Sequence, residues 1–335
     1  MSPSPSPVRV LVIRAGALGD TVCASSIIEP LRCEFGQDVH IEWVAKAGMG
    51  DLFAADPRIA NVHELRNRRL PLPFNRGKAA IVRASRRRPF DYVINLELGP
   101  LFNDLVRAVS ARHRIGMPYH YFAEPPEAHA VENLKLIYKS FLGQAAMRLA
   151  APGLQGFDPE RVISRFNLPE SYVVLVPSNS HFKKAHPLNH RAWPLEHWRS
   201  LIDLLSDKGY ASVLIGAASD SAIVDEIGPL PTNCINLVGK TRYSEVITLI
   251  SAASHVIATD TGPAHIAAAT NTPVTVLIGP TNPRRTGPFE TADNKVITLS
   301  AGLPCSPCYH TPALRNCHYN RCMTQIRPLD VVNAI

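Results

Sequence analysis

Two α/β domains, each built on a doubly wound parallel sheet, are what this sequence predicts, and three observations predict them. The chain has 335 residues, more than one ordinary hydrophobic core holds and enough for two domains of roughly 150 residues each. Short β-branched runs alternate with helix-like stretches, the rhythm of parallel strands joined by crossover helices. That rhythm is interrupted by the loop-rich patch Ala151-Pro152-Gly153-Leu154-Gln155-Gly156 and then restarts.

The elements follow in order. Residues 1–7 are a Ser/Pro-rich tail. Residues 8–13 (VRVLVI) form a run typical of a strand buried on both faces. A turn holding Gly16 and Gly19 leads into a helix over 20–35. Further strands are expected at 40–45, 91–96 and 113–117, with helices near 76–88, 100–112 and 129–150. After Pro169 the alternation resumes with a strand at 172–177, a helix near 194–207, a strand at 211–216, a helix near 220–227 and a strand at 234–238. A helix near 243–252, a strand at 255–258, a helix from Pro263 and strands at 274–278 and 296–299 complete it. The expected domains are therefore 8–160 and 161–335.

Composition narrows the function classes. With 46% hydrophobic and 19% charged residues the chain is an ordinary globular protein rather than a disordered one. No apolar run reaches the roughly 18 residues that span a bilayer. The opening residues lack the charged region and cleavage site of a signal peptide, so a cytoplasmic protein is expected. Net charge is +7, and its excess is concentrated. Between Arg58 and Arg114 stand 13 basic residues against four acidic ones (Glu64, Asp91, Glu97, Asp104), a local balance of +9. Such a field suits a phosphorylated substrate or an anionic membrane surface, or is only a solvated face. Nucleic acid is disfavoured, because no recognisable binding module accompanies the arginines and aromatics are sparse among them.

Ligands of open parallel sheets bind outside the carboxyl ends of the strands, and three loops stand there. The first is Arg14-Ala15-Gly16-Ala17-Leu18-Gly19-Asp20. Its glycines let the backbone turn sharply beside a ligand. Asp20 reads either as a helix cap or as a carboxylate held as a general base. The spacing Gly16-x-x-Gly19 is not the dinucleotide fingerprint, which disfavours a nicotinamide dehydrogenase. The second is Thr259-Asp260-Thr261-Gly262-Pro263-Ala264-His265, where a proline-started helix would aim free N–H groups at a phosphate. Asp260 again has a capping alternative, and a lone histidine such as His265 is ordinarily a helix-face or core residue. The third, residues 279–288, supplies hydroxyls, Thr281 among them, and the pair Arg284-Arg285, whose forks suit phosphate.

Together these segments resemble glycosyltransferase family 9, the heptosyltransferases of lipopolysaccharide core synthesis. Residues 8–32 are similar to that family's opening strand, Gly-Asp loop and first helix. Residues 258–289 (ATDTGPAHIAAATNTPVTVLIGPTNPRRTGPF) are similar to its donor-binding signature. The resemblance implies the GT-B architecture, two Rossmann-like domains facing a cleft, with acceptor on the first and nucleotide-sugar on the second. It implies that Asp20, in the acceptor-side loop with Gly16 and Gly19, is the catalytic base. Asp260 would contact the donor, Thr261 and Gly262 would hold its pyrophosphate, and His265 would match the signature histidine. Arg191 stands where the family often has a lysine near the phosphates. Thr281 and Ser178 are further donor-side candidates, with Ser180 beside the latter. The stretch 178–189 (SNSHFKKAHPLN) departs from the family in being longer and more basic.

The implied reaction is inverting transfer of heptose from ADP-heptose to a phosphorylated, acidic lipid acceptor, at or near the inner membrane surface. A protein acceptor is the alternative, and a non-catalytic nucleotide- or lipid-binding scaffold is another. A nucleotide-sugar epimerase ranks low. Oriented N–H groups and a cation can stabilise a pyrophosphate leaving group, so no metal is required for the chemistry.

Of seven cysteines, Cys23, Cys33 and Cys234 read as small buried hydrophobes. Cys305, Cys308, Cys317 and Cys322 form C-x2-C-x8-C-x4-C. Four thiolates at such spacing suit one tetrahedral zinc or iron ion in a structural role. Some family members that glycosylate proteins bind iron through such a segment.

Overall fold

The computed structural model describes residues 6–121, 125, 127–179 and 189–335. It divides into two units, Met1–Gln155 and Gly156–Ile335, so the division falls before the expected residue 160. The reason is local: Phe157 N–H donates to Thr248 Oγ1 at 2.8 Å, and the helix Pro159–Phe166, capped by Asp158, packs on the helix Tyr243–Ser251. Those residues therefore belong to the second unit.

Among its described residues the first unit holds five strands: β1 (Arg9–Ile13), β2 (His40–Lys46), β3 (Ile59–Leu65), β4 (Phe90–Asn95) and β5 (Ala111–Ile115). All pair in parallel in the order β3-β2-β1-β4-β5. β1 is buried along its whole length, as expected of a central strand with both faces covered. β3 and β5 are the edges. β3 is absent from the expected elements because Asn61, His63 and Glu64 interrupt its apolar run. The helix expected over 20–35 starts at Leu18 and is broken into Leu18–Ala24, a 3₁₀ turn Ser25–Ile27 and Ile28–Phe35. Pro30 explains the break, since it has no N–H to continue the ladder. In the helix Arg76–Arg87 the buried stripe is Lys78, Ile81, Val82 and Ser85, spaced as one helical face. Lys78 enters it because its amino group donates to Asp104 at 2.9 Å and to Leu101 O at 3.2 Å.

The second unit holds β6 (Val173–Val176), β7 (Ser212–Leu214), β8 (Cys234–Asn236), β9 (His255–Thr259), β10 (Val274–Leu277) and β11 (Val296–Leu299). Their parallel order is β11-β10-β9-β6-β7-β8, the doubly wound dinucleotide-fold order read from the other side. Its core joins Val173, Leu175 and Ile257 to Trp198, Leu201, Ile202 and Leu205 of the helix Leu195–Asp207. Cys322, Met323, Ile326 and Val331 close the same core from the carboxyl-terminal segment. Each sheet has one place where the strand order reverses, β1/β4 in the first unit and β6/β9 in the second.

Several basic residues of the 58–114 stretch have internal partners. Arg58 pairs with Asp56 and Glu29, Lys78 with Asp104, and Arg112 with Asp91. Arg114 donates to the carbonyls of Val106, Val109 and Ala111. Arg66, Arg69, Arg76, Arg83, Arg86, Arg87 and Arg88 are exposed. No helix among the described residues is long and apolar enough to cross a membrane.

Candidate functional site

In the first unit the loop after β1 carries Asp20 as the third residue of the helix Leu18–Ala24. Both sequence readings of this residue have a counterpart. Oδ2 accepts from Ala17 N–H at 2.9 Å, which is a cap. Oδ1 lies 3.1 Å from Arg14 Nη2, and the side chain remains about half exposed. Capping and access therefore coexist. Arg14 is itself fixed by donating to Leu96 O at 2.7 Å, across the β1/β4 reversal. Gly16 has a steric reason: a Cβ there would stand 2.7 Å from Asp20 Cβ and Oδ2. Gly19 is the second residue of the same helix.

Three side chains around this loop escaped the sequence reading. Glu97 Oε1 accepts Ala15 N–H at 2.6 Å. Arg68 donates to Ala15 O, and Trp43 Nε1–H donates to Arg14 O at 3.2 Å. Each comes from a neighbouring segment, so only the strand order brings it to the loop. Glu97 lies just past the end of β4, where the reversal of strand order would have directed attention.

In the second unit Asp260 follows β9. It is 5% exposed, and among the described residues its buried Oδ2 has no hydrogen-bond donor. Among the described residues its cationic partner is Arg191, with Nη1 3.6 Å from Oδ2 and 3.4 Å from Asp260 O. An under-satisfied buried carboxylate is costly unless a ligand completes it. Thr261 is the N-cap of the helix Gly262–Ala269, with an extended backbone and no side-chain cap bond. Its first turn contains Pro263, which removes an N–H that the helix would leave unpaired anyway. His265 is the fourth residue of that helix and is half-buried.

Ser178 is buried in the loop after β6. Val176 pairs with Ala258, so Ser178 and Asp260 follow the ends of two adjacent strands. Ser180 lies outside the described residues. Thr281, after β10, is buried, and its hydroxyl has no partner among the described residues. It lines a cavity of about 300 Å³ together with Arg284, Ser300, Ser306 and Cys322.

The four clustered cysteines lie in the same unit. Cys308 and Cys322 are buried, Cys317 is half-buried and Cys305 is exposed. Burial first, then the neighbouring thiols, pushes Cys322 up to about 11, and the same causes raise Cys308. Thiols that raise one another in this way are a donor set that a cation would deprotonate. Among the described residues, however, no three His, Cys, Asp or Glu side chains form a metal-holding group. The donor chemistry of four thiols fits a soft cation.

The family model for glycosyltransferase family 9 (heptosyltransferase) matches residues 79–318. Over 104 residues the chain is 41% identical to lipooligosaccharide heptosyltransferase 2 of Haemophilus influenzae, a stretch that spans only 30% of each protein. Lipopolysaccharide heptosyltransferase 1 of Pseudomonas aeruginosa is 25% identical over 330 residues, 90% of this chain and 86% of that one. Among solved structures, the ADP-heptose lipopolysaccharide heptosyltransferase II of Escherichia coli matches with a TM-score of 0.76 at 23% identity, covering 98% of both chains. That likeness, with the two parallel-sheet units, gives the GT-B fold.

Proposed function

Because the chain belongs to glycosyltransferase family 9, we propose that it is an inverting heptosyltransferase that moves heptose from ADP-heptose to a lipopolysaccharide inner-core acceptor. The observation that carries the donor half is Asp260, buried, short of one hydrogen bond and paired with Arg191 beside a helix start. The names of the relatives support the sugar, the nucleotide and the acceptor class.

In this reading Asp20 takes the proton of the acceptor hydroxyl as its oxygen attacks the anomeric carbon. The bond from that carbon to the pyrophosphate oxygen breaks, ADP leaves, and the configuration inverts in one displacement. Arg14 holds the carboxylate in place. Arg191 and the N–H groups of Thr261 and Gly262 stabilise the charge that develops on the leaving pyrophosphate. Ser178, Thr281 and His265 are the further donor-side contacts, with Asp260 Oδ2 free to accept from a donor hydroxyl. The chemistry needs no metal.

The four cysteines are proposed to hold one structural zinc or iron ion, which would tie the segment 305–322 together. Metal analysis of the purified chain is expected to give about one ion per chain. A fully folded, active and metal-free sample refutes this assignment.

The acidic, lipid-linked acceptor is proposed to be met at a peripheral membrane surface. The segment after β3 supports this: Leu70 and Phe74 are 40% and 75% exposed and lie between Arg66, Arg69 and Arg76, a basic and apolar combination suited to anionic lipid. Co-sedimentation with anionic vesicles is expected and should weaken in Phe74→Ser. Charge reversal at Arg86, Arg87 and Arg88 is expected to weaken acceptor affinity; unchanged affinity refutes their part in it.

The deciding experiment is calorimetric titration with ADP, UDP, GDP and ADP-heptose, followed by turnover assays on Asp20→Asn. Selective binding of the adenine ligands, with turnover lost and ADP affinity kept in Asp20→Asn, is expected. Preference for another nucleotide replaces the donor. Binding of none favours the scaffold alternative.

A further inference from the structure

Arg191 is an unusual cation for a ligand site. It follows the stretch 180–188 and is not part of a helix or strand. Among the described residues its buried Nε has no hydrogen-bond partner, and Asp260 approaches its Nη1 no closer than 3.4 Å. A loop guanidinium with contacts this long to its carboxylate has several rotamers to choose from and loses side-chain entropy when a ligand fixes it.

The cysteine-rich segment supplies the missing support. The guanidinium of Arg191 sits over the ring of Tyr309, 4.5 Å from its centroid. Tyr309 is itself fixed from the backbone. Its N–H donates to Pro280 O at 2.8 Å, and the N–H of Cys308 donates to the same oxygen at 2.9 Å. Ser306 Oγ donates to Gly279 O at 2.5 Å. Gly279 has no room for a side chain, since a Cβ there would meet Met323 Sδ at 2.6 Å and Cys322 Sγ at 3.1 Å. The segment is tied equally to the chain flanking Arg191. His190 Nε2–H donates to Cys317 O at 3.1 Å, and Asn320 Nδ2–H donates to Ala192 O at 3.2 Å. Residues 306–322 thus grip the loop after β10 and the residues on both sides of Arg191.

We propose that Tyr309 is a positioning residue for the donor site. Its ring face holds the Arg191 guanidinium toward Asp260, and the cysteine-rich segment serves as the frame that holds Tyr309. This rests on the reading that a nucleoside diphosphate binds beside Asp260 and Arg191. The interaction needs the aromatic face and not the hydroxyl, because a cation is attracted by the ring quadrupole. It also gives the segment a role that does not depend on which metal, if any, the cysteines bind.

The test is ADP titration of the full chain carrying Tyr309→Ala, Tyr309→Leu, Tyr309→Phe, Arg191→Ala and the double variant Arg191→Ala/Tyr309→Ala. Thermal unfolding is measured on each. Removing the ring is expected to weaken ADP about 3- to 30-fold, the range for exposed to desolvated cation–π contacts. Tyr309→Phe restores affinity to within about 2-fold of wild type by the same argument. In turnover assays Tyr309→Leu raises the donor KM more than it lowers kcat. Adding Tyr309→Ala to Arg191→Ala costs little more, since both remove one device. If alanine loosens the fold, the comparison of leucine with phenylalanine decides, because both fill the space and only one has a π face. Wild-type affinity in Tyr309→Leu, equal losses in Tyr309→Phe and Tyr309→Leu, or additive losses in the double variant each overturn the proposal while leaving the donor reading intact. A wild-type chain that binds no ADP overturns the donor reading and this inference with it.

Discussion

Replacing Gly16 by alanine tests the proposed base without altering it. The new methyl would stand 2.7 Å from both Cβ and Oδ2 of Asp20, where ordinary contact begins near 3.4 Å. Asp20 must therefore retreat by about 0.7 Å. The clash cannot be relieved by the carboxylate tip alone, because Cβ is carried by the helix Leu18–Ala24. Movement stretches the bond from Ala17 N–H, now 2.9 Å, and the pairing with Arg14, now 3.1 Å. Misplacing a reacting group by about 1 Å costs on the order of 10²-fold in rate, so kcat is expected to fall about 10- to 100-fold. Weakening the cap lowers stability by only about 1 kcal/mol. ADP affinity should hold, since the residues assigned to it belong to the other unit. Initial rates at saturating donor, with thermal unfolding alongside, read all three. A Gly16→Ala enzyme with wild-type kcat would falsify the claim that the loop exists to place Asp20.

Three further outcomes follow from buried groups. Burial raises the carboxyl of Glu42, but hydrogen bonds from His63 and Arg9 outweigh it and bring the group down to about 2. Its stabilisation is complete above the ordinary value of 4.5 and is lost as pH falls toward 2. Glu42→Gln is therefore expected to cost about 2–3 kcal/mol at pH 7 and progressively less in acid, by denaturant titration. Burial, aided by Lys295, lowers His255 to about 4, so the unfolded chain binds this proton first as pH falls below 6.5. Wild type should lose about 2 kcal/mol from this group by pH 5, and His255→Gln should flatten that slope in the same titration. Gly116 has φ +84, and a Cβ there would lie 2.2 Å from Asn95 O. Gly116→Ala should lower stability by about 2–4 kcal/mol, and a melting temperature equal to wild type would contradict the close approach.

The sheet architecture was legible because parallel strands covered on both faces are written as β-branched runs. β1, β6, β9 and β10 are such runs, and all are buried. Elements that depend on context were not legible. β3 is an edge whose polar residues hide it, and Pro30 breaks a helix that apolar spacing alone extends. At the site, the loops after β1 and β9 could be found from their glycines, carboxylates and place after a strand. The contacts that hold them could not. Arg191 and Asp260 are 69 residues apart, and Ala15 meets Glu97 across 82. Such pairs are set by strand order, which local pattern does not contain. Tyr309 is harder still, because nothing in an isolated Cys-Tyr-His sequence says that its ring lies under an arginine.

The edge strand β5 bears on how this protein keeps to itself. Its sequence is Ala-Arg-His-Arg-Ile. A terminal parallel strand offers unpaired backbone groups to any other chain that can lie alongside, and natural sheets resist this with charge. Here Arg112 is 77% exposed on its side chain and is anchored to Asp91 of the adjacent strand, while Arg114 clasps three carbonyls of its own chain. An incoming strand would have to dehydrate the first guanidinium and dislodge the second. Neutralising Arg112 and Arg114 removes that charge from the sheet edge and is expected to lower solubility.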